Sequence, residues 1–357
     1  MTTDSSMAVT PASSQFVQHN WYVAAWSDEV NRTPLARVIL GEPVVLYRRA
    51  DGSTVALRDQ CPHRKLPLSL GRLVDDNVEC GYHGMTFAPD GHCVRIPGQE
   101  RIPPGAKVRA FPTSQGMGMV WIWMGPPELA EQSERFHLAA FDDPNRALSV
   151  GKHRLVKCHY QLLTDNLTDP AHVSFVHRTT LGSTAQEDIP VSVHEAHDTV
   201  VVTRWTLDSP PAPIFKTLAG MTHNVDRWQY YYLHCPSICV VDFGSAPVGL
   251  LGRDSPRDIS PAVQMYSCIF MTPASHNTTH YFYWQSRNFA VQSDDVSAQV
   301  LEQIEIAFEE DFKILEAQQY SMETYAVTDD VKLALDSAPT RQRRMVARLL
   351  EREQQTC

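Results

Sequence analysis

The chain lacks the features that would mark it for a membrane, a secretory route or nucleic acid. No apolar run approaches the ~18 residues that a membrane-spanning helix needs. Met1-Thr-Thr-Asp-Ser-Ser-Met7 has neither the basic start nor the apolar stretch of a secretory signal, so the expected location is the cytoplasm. Positive charge is in deficit: 31 Lys and Arg against 41 Asp and Glu give a formal net charge of −10. That balance excludes the basic footprint of a general nucleic-acid binder. Eight cysteines in 357 residues are too sparse for a disulfide scaffold, and paired cysteines in a reducing compartment point instead to metal. There is no Gly-x-Gly-x-x-Gly after a strand: Gly116-Met117-Gly118 runs into an apolar strand and lacks the third glycine. No nicotinamide or flavin fold is therefore visible, and no C-x₄-C-x₂-C run marks a plant-type ferredoxin.

What is present reads as an α+β protein of two domains, because 357 residues exceed the ~250–300 at which a single core stops growing. Residues 1–19 are polar and Ser/Thr-rich, and are expected as a flexible tail. From Asn20 to about residue 125, short apolar runs such as Val44–Arg48, Met85–Phe87 and Met119–Met124 alternate with dense turn signals. This predicts a small antiparallel β domain. Residues 126–152, rich in Pro, Glu and Asp, are expected as a linker. The remainder, 153–357, carries strand-like runs at Val200–Leu207, Trp228–Leu233, Ile238–Phe243, Met265–Met271 and Thr279–Trp284. They predict a larger antiparallel sheet covered by helices. The strongest helix spans Val300–Gln319, with Ile304, Phe308, Phe312 and Leu315 at helical spacing. A final helix near 340–352 sets arginines against Met345, Leu349 and Leu350, a solvated face over a docking stripe.

Two constellations carry chemistry. The first is Cys61-Pro62-His63, then sixteen residues, then Cys80-Gly81-Tyr82-His83. Two Cys and two His suit tetrahedral zinc, but zinc sites usually space like ligands together. Here each loop mixes a thiol with an imidazole, which lets one iron take both thiolates and its neighbour both imidazoles, the Rieske arrangement of a 2Fe–2S cluster. The second is the stretch from Asp165 to His177, where His172 and His177 stand five apart, about 140° on a regular helix. They share a face only if the helix ends or bulges between them. Two imidazoles and a carboxylate would make the facial triad of a non-haem Fe(II) site. Taken alone, the pair is open between such a site and coincidence among fifteen histidines.

A third ligand is expected from the long helix. With Ile304 at 0°, Phe308 falls at about 40°, Leu315 at about 20° and Asp311 at about 340°, inside the apolar arc. Glu309, Glu310 and Glu316 fall at about 140°, 240° and 120°, outside it. A carboxylate on a buried stripe is costly unless it is paired or binds metal, which selects Asp311. His153, Cys158, His159, His276 and His280 also cluster. They fit no site spacing and are read as strand or loop residues, with His280 the best placed to face a pocket.

Cys61-Pro-His-Arg64 and Cys80-Gly-Tyr-His-Gly84 resemble the cluster loops of Rieske non-haem iron aromatic oxygenases. Leu66 and Tyr82 stand where respiratory Rieske proteins carry an extra cysteine pair. Asn166, Asp169, His172 and His177 resemble the family's Asn-x-x-Asp-x-x-His-x-x-x-x-His element, and Glu310-Asp311 with Glu316-Ala317 resembles its late ligand element. Asn20-Trp-Tyr-Val-Ala24, Ile96-Pro-Gly-Gln99, the Met119–Gly125 strand, Asp226-Arg-Trp228 and Gly244-Ser-Ala-Pro247 resemble the vanillate demethylase group. That group includes toluenesulfonate methyl-monooxygenases and dicamba demethylases.

The resemblance implies a Rieske domain over 20–125 and a catalytic mononuclear iron domain over 153–357. It implies cluster ligands Cys61, His63, Cys80 and His83, and iron ligands His172, His177 and Asp311. Tyr82 would hydrogen-bond a cluster thiolate, and Asn166 would sit near the iron. Asp169 would be the catalytic bridge, joining His83 of one subunit to His172 of the next, which implies a homotrimer. O₂ is the co-substrate. NAD(P)H serves only through a separate flavin and iron–sulfur reductase docking near Arg64, Lys65 and Arg72. The implied activity is oxidation of a methoxy or methyl carbon on a small aromatic acid. Ring hydroxylation or N-demethylation by the same metals stays open, as does an electron carrier with a vestigial iron site. No motif identifies substrate-binding residues; Arg204, Arg227 and His280 are each open between meeting an anionic group and a structural role.

Overall fold

The computed structural model describes residues 16–178, 180–182, 189–252, 255, 257, 260–325 and 331–356. The chain divides into two compact units. The first comprises residues up to Arg135 together with Pro273–His276 and Leu350–Cys357, and the second Phe136–Thr272 and Asn277–Leu349.

The first unit is all β. Its strands are β1 (Trp21–Trp26), β2 (Leu35–Ile39), β3 (Glu42–Arg48), β4 (Thr54–Arg58), β5 (Arg72–Val74), β6 (Asn77–Glu79), β7 (Thr86–Phe87), β8 (Cys93–Arg95), β9 (Ala110–Phe111), β10 (Thr113–Gly116) and β11 (Met119–Trp123). They form three antiparallel sheets, ordered β1-β11-β10, β2-β3-β4-β9 and β5-β6-β7-β8. Short turns join β2 to β3, β5 to β6 and β10 to β11, while longer loops join β4 to β5 and β8 to β9, which is why the sequence alternates apolar runs with Gly, Pro and Asp. Tyr47, Leu57, Leu68, Val78 and Phe87 make a core that also takes in Cys61 and Cys80. The first fifteen residues of the expected tail lie outside the described residues, while Phe16 and Val17 are buried.

The second unit holds β12 (Ala147–Val150), β13 (Arg154–Val156), β14 (Ser192–Ala196), β15 (Thr199–Ser209), β16 (Val225–His234), β17 (Ile238–Pro247), β18 (Val263–Ser275) and β19 (Thr278–Arg287). The sheet order is β12-β19-β18-β17-β16-β15-β14, with β13 also pairing β19. The stretch expected as a linker thus divides: Ala147–Val150 pairs with Trp284–Arg287 in this sheet, because Ala147 and Ser149 are buried by it.

Its helices are α1 (Tyr160–Thr168), α2 (Val173–Val176), α3 (Pro213–Leu218), α4 (Asp294–Thr324) and α5 (Ser337–Thr356), the last of which belongs to the first unit from Leu350 onward. Ser293 caps α4 by accepting the Val296 N–H at 3.2 Å, and Asp294 and Asp295 in its first turn favour the positive end of the helix dipole. Val300, Ile304, Phe308, Asp311, Phe312, Leu315 and Gln319 form its buried stripe. Phe308 and Phe312 meet Tyr281 of β19 edge-on at centroid distances of 5.3 and 5.0 Å, which seats α4 on the sheet. α5 buries Gln342, Met345 and Val346, while its Arg343 and Arg348 pair with Asp165 and Glu195. No helix among the described residues is long and apolar enough to cross a membrane.

Candidate metal centres

In the first unit, two loops repeat one backbone design. Cys61 N–H donates to the Leu66 carbonyl at 2.9 Å and Cys80 N–H to the Met85 carbonyl at 2.8 Å. Within each loop a tighter bond closes the turn, from Lys65 N–H to Cys61 O and from Gly84 N–H to Cys80 O, both 3.0 Å. The residue that turns the chain has φ +64° at Lys65 and +70° at Gly84. These matched loops bury the two thiols, which are free, and leave both imidazoles exposed. Burial pushes the Cys61 thiol pKa up, and the adjacent Cys80 thiol adds to it, so the two sulfurs are neighbours. The His63 and His83 rings lie 4.6 Å apart. Thiols pair on the inner side and imidazoles on the outer, the division that a 2Fe–2S cluster with two Cys and two His needs. Arg64 and Lys65 are exposed beside them, and Arg72 pairs with Glu79 at 2.7 Å. Tyr82 is 62% exposed and lies against His83, centroids 3.9 Å apart. Among the described residues, no hydrogen bond joins its hydroxyl to a thiol; the structure places it on the imidazole side.

In the second unit, the geometry around His172 follows from one proline. α1 ends at Thr168 because Pro170 cannot continue the helix and disfavours helical Asp169. The Asp169 carboxylate then accepts the Ala171 N–H at 2.9 Å, an Asx turn that starts α2. His172 and His177 stand at the two ends of this four-residue helix. The helix end expected between the two histidines falls at Val176: His177 is the C-cap and leaves the helical path, which lets the rings converge. Their Nε2 atoms reach Asp311 Oδ1 at 3.6 and 3.1 Å, and the three ligand atoms lie within 4.8 Å of one another. Asn166 Nδ2 also donates to that oxygen at 3.0 Å.

The far ring nitrogens are held too. His172 Nδ1 bonds to the main-chain carbonyl of Asp169, so this contact is made by the backbone and not by the expected carboxylate. His177 Nδ1 bonds to Glu310 Oε2 at 2.9 Å. Burial lowers the His172 pKa and keeps its ring neutral. His177 suffers the same burial, yet hydrogen bonds and charge from Asp311, then Glu310, outweigh it and raise its pKa. The short approach of Nε2 to Asp311 Oδ1 marks the place where a cation would sit between them. Two ring nitrogens and one carboxylate on one side of an open space fit a facial non-haem iron site.

That space is a cavity walled by Ile214, Phe215, Trp228, Phe243 and Phe308, with Arg227, Gln229 and Ser267 among its polar lining. Residues 156–352 match the vanillate O-demethylase oxygenase C-terminal domain and residues 20–112 the Rieske [2Fe-2S] domain. The chain belongs to the vanillate O-demethylase family of Rieske non-haem iron oxygenases.

This oxygenase is 38% identical over 340 residues to a putative toluene-4-sulfonate monooxygenase system iron-sulfur subunit of Comamonas testosteroni, covering 94% of this chain and 98% of the relative. It is 33% identical to a vanillate O-demethylase oxygenase subunit of Pseudomonas sp., covering 95% and 96%. Its fold superposes on crystalline dicamba monooxygenase bound to 3,6-dichlorosalicylic acid with a TM-score of 0.86, at 30% identity and covering 95% and 98% of the two chains. Its cofactors are a Rieske 2Fe–2S cluster and a mononuclear non-haem iron, with O₂ as co-substrate.

The remaining sequence candidates separate in space. Arg227 lines the cavity. Arg204 is buried with both Nε and a terminal nitrogen on Gln229 Oε1, at 2.8 and 2.6 Å. His280 does not line the cavity; its Nδ1 lies 2.9 Å from His153 Nε2. By helical angle Glu310 falls outside the apolar arc together with Glu309. Glu309 does pair outward with Arg154 at 2.5 Å, but Glu310 reaches His177. The signals were its place next to Asp311, one step off the buried stripe, and its membership of the Glu310-Asp311 pair that resembles the family's late ligand element.

Proposed function

We propose that this chain is the terminal oxygenase of a system that oxidises the methoxy or methyl carbon of a small aromatic acid. The observation that carries this reading is the apolar cavity that opens onto His172, His177 and Asp311. In this reading those three side chains hold the mononuclear iron, and Cys61, His63, Cys80 and His83 hold the cluster. The named substrates of the relatives, toluenesulfonate, vanillate and dicamba, support an aromatic acid.

Bound iron would supply reductive activation of O₂ and insertion of one oxygen atom into a C–H bond. The chain's own residues prepare for this. His172 offers a neutral Nε2 because burial disfavours its protonated form. Asn166 and His177 fix the Asp311 carboxylate, and Glu310 fixes the His177 ring. The aromatic and aliphatic walls exclude water from the reacting carbon. Insertion at an O-methyl group gives a hemiacetal that releases formaldehyde and leaves a phenol; insertion at an aryl methyl gives the alcohol. Either reaction uses two electrons and two protons and sends the second oxygen atom to water.

The electrons would come from NAD(P)H through a separate reductase, docking where His63, His83, Arg64 and Lys65 are exposed. Asp169, between α1 and His172, would bridge cluster and iron across subunits of a cytoplasmic homotrimer. The Rieske domain would occupy 20–125 and the catalytic domain 153–357. The test is a panel of methoxy- and methyl-substituted benzoates and sulfonates supplied with a surrogate reductase. Formaldehyde or benzylic alcohol supports the reading, and ring-hydroxylated product overturns it. An iron content of about two per chain, the cluster alone, would instead identify an electron carrier.

A further inference from the structure

β16 alternates its side chains, so Arg227, Gln229 and Tyr231 share the face that lines the cavity. Arg227 is 4% exposed, and it alone among the lining residues carries a permanent positive charge. Its neighbour on the next strand is a second buried cation: Arg204 of β15 stands opposite Gln229, and Thr206 opposite Arg227. Arg204 grips Gln229 Oε1 with two of its nitrogens, and Gln229 Nε2 lies 3.1 Å from the Tyr231 hydroxyl. The Gln229 amide is thus fixed beside Arg227. Burial, then the charge of Arg204, pushes the Arg227 pKa down to about 10, which still leaves it a cation at neutral pH.

Two guanidiniums on one buried, largely apolar face repel each other and are costly to desolvate. Arg227 Nη1 donates to the Pro210 carbonyl at 3.4 Å, and a bound anion would add the opposite charge that lowers the repulsion between the two guanidiniums. The same cavity is lined by His172, His177 and Asp311, so a ligand within it can meet Arg227 with one substituent and turn another toward the candidate iron ligands.

We infer that Arg227 is the anion anchor of the cavity, holding the carboxylate or sulfonate of an aromatic substrate while the methyl-bearing end faces His172 and Asp311. The inference rests on the proposed substrate class, and it adds the residue that selects for the acid. Guanidinium presents a planar fork that matches an oxyanion with two parallel hydrogen bonds, which an ammonium cannot reproduce.

The test is direct binding to the iron- and cluster-loaded protein by calorimetric titration, without turnover. The probes are 4-methoxybenzoate and 4-methylbenzenesulfonate, each against its uncharged amide. Wild type should prefer each acid by at least ~10-fold, the scale of one charge-assisted contact. In Arg227→Met the acids should weaken by roughly 100-fold while the amides change little, and Arg227→Lys should recover part of the loss. Acid and amide bound equally well by wild type, or weakened equally by Arg227→Met, overturns the anchor. If Arg227→Met fails to fold, the wild-type comparison and Arg227→Lys decide. The two arms rank carboxylate against sulfonate. Arg227-dependent acid binding without formaldehyde or alcohol would sink the proposed reaction and leave the anchor standing; those products with Arg227-independent binding would do the reverse.

Discussion

At the scale of single residues, the second unit makes a chain of dependence. Asp311 Oδ1 is the point on which His172, His177 and Asn166 converge, and Glu310 and the Asp169 carbonyl set the two rings from behind. Under the proposed ligand set, His172→Ala, His177→Ala and Asp311→Ala should each lose the mononuclear iron and keep the visible spectrum of the cluster. Glu309→Ala, whose partner is Arg154, should lose neither. Glu310 is expected to behave differently from Glu309: Glu310→Leu should weaken iron binding by roughly 10–100-fold, the usual cost of removing the group that orients a ligating histidine. Glu310→Gln keeps an acceptor oxygen and should recover most of it. Competitive chelation followed by iron assay reads both, and equal affinity in Glu310→Leu and wild type would remove Glu310 from the site. Asp169→Asn tests the proposed bridge. The amide can still accept the Ala171 N–H and leaves the main-chain carbonyl on His172, so both metal centres should stay occupied. Turnover should fall by about 100-fold, the upper range for loss of a supporting carboxylate. Full activity in Asp169→Asn would remove the bridge.

At the scale of elements, the twin loops of the first unit are alike in hydrogen bonding and unlike in tolerance. Both require a left-handed residue, and only one has a glycine for it. Lys65 adopts φ +64° at a cost of about 1–2 kcal/mol for an L-residue in that region. Lys65→Gly should therefore be neutral or slightly stabilising, with the cluster spectrum unchanged. Gly84 is confined further, since a Cβ there would meet Pro97 Cγ at 2.9 Å. Gly84→Ala adds a clash to the conformational cost and should lower the temperature at which cluster absorbance is lost. A cluster equally stable in both variants would mean that the loops flex independently of the metal. These loops were legible in the sequence because each is a local motif of four residues whose chemistry does not depend on distant partners. α4 was legible in the same way: its helical wheel puts Asp311 among the buried residues without any knowledge of the sheet. The expected linker was read less well. Ala147–Val150 is short and unremarkable alone, and it becomes a strand only because the edge of β19 is there to pair with it.

At the scale of the whole molecule, the proposed assembly makes a prediction that no single chain can. If Asp169 joins centres of neighbouring subunits, inactive Asp311→Ala chains mixed with inactive Cys61→Ala chains should recover partial activity, because some intact clusters would stand beside intact irons of the next chain. Verified co-assembly without any recovery would confine electron transfer to one chain and end the trimer reading.

Both metal-binding motifs and the family resemblance were in the sequence by itself. A ligand set is written in residue type and spacing, and a buried carboxylate on an apolar helix face betrays itself by its cost. The tertiary structure alone decided which groups support those ligands and what the cavity asks of a substrate. Glu310 reaches His177 only because the break after Thr168 swings α2 toward that side of α4. Asp169 presents its carbonyl to His172 while its carboxylate Oδ1 accepts the Ala171 N–H, because the turn at Pro170 directs the side chain back onto the chain that follows. Arg227, Phe243 and Ile304 meet in one cavity from two strands and a helix spread over some eighty residues. Spacing along a chain carries no record of such meetings, because they are set by strand register and helix packing, which arise only when the sheet closes around its core.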